Sequence, residues 1–95
     1  MKQEQVIKWL ETKGKVEMIE DKDGDWVTLT FNATIGMQGE FVNFVGEALV
    51  RVSVFPELVL MTVRNNRGEE AIFTFYLDGC HKDRFENESA RVEFL

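Results

Sequence analysis

Val27, Leu29 and Phe31 alternate with Trp26, Thr28, Thr30 and Asn32, and apolar alternation returns over residues 49–55, 58–65 and 70–78. Successive side chains of an extended strand point to opposite faces, so this period of two commits most of the chain to β-sheet. Turn residues separate the segments. Asp21-Lys22-Asp23-Gly24 divides a strand over 15–20 from one over 25–33, and Asp-Gly supplies the positive backbone angles of a tight hairpin. Pro56-Glu57 and Asn65-Asn66-Arg67-Gly68 make the next two connections. Over 89–95, Ala90, Val92 and Phe94 alternate against Arg91 and Glu93 and predict a last strand.

A different period opens the chain. Val6, Ile7 and Leu10 fall at helical spacing with Trp9 beside them, and Glu4 and Lys8 stand at i and i+4 in the favourable order. A helix over 3–13 follows, with Gly14 expected as a left-handed C-terminal cap. Residues 34–49 support both periods. Phe41, Val42, Val45, Ala48 and Leu49 form a helical stripe, whereas Val42 and Phe44 fit alternation. A short helix over 39–47 is the reading adopted. The expected fold is α+β: an antiparallel sheet of five or six strands, the N-terminal helix on one face, and that second short helix.

The 95 residues suit one domain, 1–95. A hydrophobic content of 44%, with eight Phe and two Trp, provides its core, for which Val6, Ile7, Leu10, Val27, Leu29, Phe31, Val52, Val54, Val59, Met61, Phe73 and Phe75 are the expected contributors. Val50, Val52, Val54, Val59, Met61 and Val63 are expected on one sheet face. Leu49, Phe55, Leu58, Leu60, Phe73 and Phe75 are expected on the other, among Arg51, Ser53, Thr62 and Arg64. With both faces partly apolar, something beyond the helix should shield the second.

Chemistry is scarce. With one Cys and one His, neither a zinc site nor a convincing nucleophile–base pair can be assembled, and Cys80-His81 reads as a loop with an incidental thiol. Asp21-Lys22-Asp23-Gly24-Asp25 has its Gly at the wrong position for a calcium loop. The glycines follow no phosphate-binding spacing. No catalytic residue, metal or cofactor is therefore expected. Arg51, Arg64 and Arg67 could receive a carboxylate or phosphate, but ion pairs with Glu47, Glu69 or Glu70 are the preferred reading. A lone cysteine and a polar N-terminus point to a reducing, cytoplasmic location without membrane association.

Acids outnumber bases 17 to 11, a net charge of −6 that disfavours direct contact with a phosphate backbone. Glu17, Glu20, Asp21, Asp23 and Asp25 gather around the first hairpin, and Asp83, Glu86 and Glu88 near the C-terminus, with Glu93 beyond. These carboxylates are the expected partner-binding residues of an acidic, non-enzymatic protein that imitates a nucleic-acid backbone. It would inhibit a nucleic-acid-handling protein by docking on its basic surface. In size and charge the chain resembles phage-encoded inhibitors and toxin-immunity proteins, a likeness of composition. In its order of helix, hairpin, short helix and strands it is similar to the secretion-chaperone fold, whose members are small, acidic and often dimeric. That likeness implies the alternative: a chaperone or adaptor, as a homodimer, that binds an apolar client segment through Phe41, Phe44 and Phe55.

Overall fold

The computed structural model describes residues 1–20 and 24–95, leaving aside the Glu20 side chain. One helix, α1 (Gln3–Glu11), precedes β1 (Glu17–Glu20), β2 (Val27–Gln38), β3 (Asn43–Val54), β4 (Leu58–Asn65) and β5 (Glu70–Tyr76). A single 3-10 turn (Leu77–Gly79) leads to β6 (Arg84–Glu86) and β7 (Arg91–Phe94). The seven strands form one antiparallel sheet in the order β5-β4-β3-β2-β7-β6. β1 and β7 share one edge of β2: Val27–Thr30 faces β1, and Ile35–Gln38 faces β7. The α+β class holds, with more strands than the five or six expected.

The strand not expected is β6, while residues 34–49, where the helix expected over 39–47 is absent, lengthen β2 and β3. β2 and β3 instead pair without a break from Val27↔Val54 to Gln38↔Asn43. Ile35 and Met37 continue the buried row of Leu29 and Phe31, which a helix would have scattered. Gly46 resolves the ambiguous period. It sits inside β3 at φ +152°, where a side chain is strained, and a Cβ there would stand 3.0 Å from the Phe44 ring. Phe44 folds over this bare backbone, and the Arg67 guanidinium lies 5.9 Å above the ring centroid.

Gly14 does not adopt the left-handed cap either. Thr12 ends α1, its hydroxyl donating to the Trp9 carbonyl at 2.6 Å. Gly14 is needed for space, since a Cβ would come within 2.7 Å of the Asn32 carbonyl.

The inward rows of β2, β3, β4, β5, β6 and β7 enclose one core with Val6 and Leu10 of α1. Every expected core residue contributes, with Ile7, Val27 and Phe73 only partly buried. Phe73 and Phe75 belong to this inner face rather than the outer, because Met61 and Val59 are their cross-strand partners. Phe85 completes the curl of the sheet. It stacks on Phe75 at 5.6 Å and meets Trp9 and Phe94 edge-on at 5.0 and 6.1 Å. Asn87 adds a hydrogen bond from its Nδ2 to the Thr74 carbonyl at 2.9 Å. β5 and β6, the two ends of the sheet order, thus approach each other and give a nearly barrel-like form.

Candidate functional site: the outer face of the sheet

Strand alternation sends Ile19, Thr28, Ser53, Leu60 and Thr74 outward in one row. Leu58 and Tyr76 are paired at the adjoining end, where the Trp26 ring stacks on Phe55 at 5.4 Å. Leu60 is 43% exposed, Tyr76 63% and Ile72 72%. A depression of about 470 Å³ lined by Phe55, Pro56, Glu57, Leu58 and Leu60 borders this shelf. Thr28 within the row is buried and Trp26, Phe55 and Leu58 are half-buried, so the open apolar surface is that of Leu60, Ile72 and Tyr76. Exposed Asp25 and Glu57 border it and exposed Asp78 follows Leu77, whose N–H donates to the Glu57 carbonyl at 3.2 Å. None of these three carboxylates forms an ion pair among the described residues.

The far end of the same face is polar and internally neutralised. Arg64 meets Glu70 at 3.0 Å and Arg67 meets Glu69 at 2.8 Å, the ion pairing preferred from the sequence. Arg51 stands exposed at the centre of the face without an ion pair among the described residues.

The sequence-predicted acidic residues divide into three groups. Asp21, Asp23 and the Glu20 side chain lie outside the described residues, as does most of the candidate calcium loop. Glu17 and Asp25 are exposed near the first hairpin, and Glu88 is exposed in the β6–β7 turn. Asp83 and Glu86 spend their charge locally: Arg84 binds Asp83 at 2.9 Å and Glu86 at 3.5 Å, and His81 reaches Glu86 at 3.2 Å. The hydrogen bond that Arg84 donates to the Asp83 carboxylate is the main cause that raises the Arg84 pKa above its ordinary value.

Comparison with protein families, curated proteins and solved structures gives no match.

The three aromatics suggested for an apolar contact do not meet. Phe41 is 93% exposed in the β2–β3 turn, whereas Phe55 lies past the other end of the twelve-residue β3. Phe44 points inward. Trp26 and Tyr76 were not anticipated; their signal was their phase, since both lie out of step with the buried row of their own strand.

Cys80 and His81 diverge. The thiol is buried, with Sγ 3.6 Å from the Tyr76 carbonyl, while the imidazole turns to Glu86. Burial pushes the Cys80 thiol from 9.0 up to about 12. The folded protein therefore resists thiol reagents, and labelling follows the opening of the fold. Because the unfolded chain releases this proton first, stability is full below pH 9.0 and falls as pH rises towards about 12. Labelling rates compared, across pH, with hydrogen exchange at the isolated antiparallel β-bridge between Cys80 and Phe85 measure both; fast labelling of fully native protein would contradict the burial.

Proposed function

We propose that this chain is a non-enzymatic protein-binding module of the adaptor or chaperone kind, which holds an apolar segment of a client on the outer face of its sheet. The observation that carries the reading is the shelf on which Leu60 and Tyr76 stand exposed beside half-buried Trp26, Phe55 and Leu58, above a core that is already complete on the inner side. Trp and Tyr provide large contact area at low entropic cost, which makes them frequent anchors of interfaces. Asp25, Glu57 and Asp78 favour a client whose apolar segment is flanked by Lys or Arg, and the net charge of −6 speeds its approach. The chain works by contact alone, in a reducing cytoplasmic compartment, and neither nucleic acid nor membrane is its partner. Among the described residues no helix is long and apolar enough to cross a membrane.

The acidic inhibitor is the second reading. The exposed carboxylates of Glu17, Asp25 and Glu88 favour it, while the pairing of Asp83 and Glu86 with Arg84 and His81 leaves less charge to present. A displayed pool of random peptides, selected on the immobilised protein, separates the two. Enriched peptides should carry aromatic or branched residues, and Leu60→Glu should weaken their binding by about tenfold or more, the effect of burying an unpaired charge at the shelf. Enrichment of Lys and Arg alone, with binding indifferent to Leu60→Glu, would replace the apolar reading by the inhibitor. Selection of nothing, with mass rising on concentration, would make a second copy the occupant of the shelf.

A further inference from the structure

A notch opens between β5 and the turn that follows β6. β5 is tied to β6 by Phe75 on Phe85, and to the turn after β6 by Asn87 Nδ2 on the Thr74 carbonyl. The notch has a volume of about 390 Å³. Ala71, Ile72, Phe73 and Thr74 form one wall and Asn87, Ser89 and Ala90 the other. Gly39 lies at its floor, where a Cβ would stand 3.8 Å from Ala90 Cβ and 3.9 Å from Phe73 Cε1.

We propose that this notch takes an extended segment of another protein, which adds to the free edge of β5 as an extra strand and carries one large apolar side chain flanked by Lys or Arg. Three observations select that occupant. β5 is the terminal strand of the sheet order, so one of its edges has no strand partner among the described residues. The Thr74 carbonyl faces that edge, and by strand alternation so do the N–H and C=O of Ile72, for which no hydrogen bond exists among the described residues outside strand pairing. Asn87 already holds Thr74, so the template is short, centred on Ile72. The notch walls are apolar around Ala71, Phe73, Val42 and Ala90, suited to a single inward side chain. The flanking charge is negative: Glu40, in the turn at its mouth, and Glu88, beside Asn87, are exposed and form no ion pair among the described residues. In an added strand, residues two either side of the inward anchor share its face, which is where Lys or Arg would meet these carboxylates.

The test is an NMR titration of the full chain with the blocked peptide Lys-Val-Phe-Val-Lys. Its signals at Ile72, Thr74, Gly39–Val42 and Ala90 should shift. The same peptide N-methylated at the central residues should bind about tenfold or more weakly, because it loses main-chain pairing while keeping its side chains. Ile72→Pro removes the donor that faces the notch, a change edge strands tolerate, and should have the same effect. In the Leu60→Glu protein the shifts at Ile72, Thr74, Gly39–Val42 and Ala90 should keep the same midpoint while any at Trp26, Leu58 and Tyr76 weaken, so this surface stands or falls separately from the outer shelf. Equal binding of the N-methylated peptide, shifts confined to Trp26, Leu58 and Tyr76, or no binding would overturn the proposal. Shifts at Ile72 that follow protein concentration without any peptide would also overturn it and assign the edge to a second copy.

Discussion

Phe85→Ala is expected to cost about 3–5 kcal/mol of folding stability, the range for truncating a fully enclosed aromatic. β6 holds only three residues, yet Phe85 is fully buried and touches Trp9, Phe75 and Phe94. Its ring joins the helix to both ends of the curled sheet, so its removal opens a cavity that no single element can close. Domains of this size have about 5–15 kcal/mol to lose, which makes the variant marginal. Denaturant midpoints at constant slope would measure the effect. Phe41→Ala, at a residue 93% exposed, should change stability by no more than about 0.5 kcal/mol. A loss below about 1.5 kcal/mol for Phe85→Ala would mean that β6 does not pack under β5 as described.

The next largest effect is expected at Asn65, a buried polar residue at the end of β4. Its Oδ1 accepts the backbone N–H groups of Arg67 and Glu69, each at 3.0 Å, and its Nδ2 donates to Glu69 at 3.3 Å. The side chain thus builds the turn from inside, and Gly68 completes it at φ +80°. Asn65→Ala leaves two main-chain donors without their acceptor and should cost about 2 kcal/mol. Asn65→Asp keeps that acceptor but brings a carboxylate against Glu69, and its loss should be smaller. Thermal midpoints of the pair rank them; equal losses would show that the amide, rather than the turn acceptor, is what matters.

Strand periodicity carried most of the architecture. Over β4 the burial follows the alternation of apolar and polar rows, and over β2 it does so apart from buried Thr28 and half-buried Ala33. The helix assigned to 39–47 failed because Gly46 interrupts the inner row of β3 with no side chain, leaving Phe41, Val45 and Leu49 to imitate a helical stripe. Phe73 and Phe75 were assigned to the wrong face because a two-residue link and a four-residue link set register differently, and only the pairing with Val59 and Met61 decides it. β6 is too short to show a period at all. Its anchor, Phe85, sits between Arg84 and Glu86 and gives no signal of its own. The acidic clusters were visible as composition, but partner choice within them was not: Arg84 lies next to Asp83 in sequence and still reaches Glu86. The outer shelf was half visible. Leu58, Leu60 and Phe55 were placed outward, while Tyr76 and Trp26 needed the curl of the sheet to bring them alongside.

The central claim is that apolar contact on the outer face, rather than acidic charge, holds the partner. The most direct measurement is capture of the natural partner by the full chain at about 0.1 M and about 1 M salt, across which the screening length falls from about 10 Å to about 3 Å. The wild-type chain should hold the same protein at both concentrations, and Leu60→Glu should lose it at both. Capture that disappears at high salt and survives Leu60→Glu would contradict the account and leave the exposed carboxylates as the binding surface.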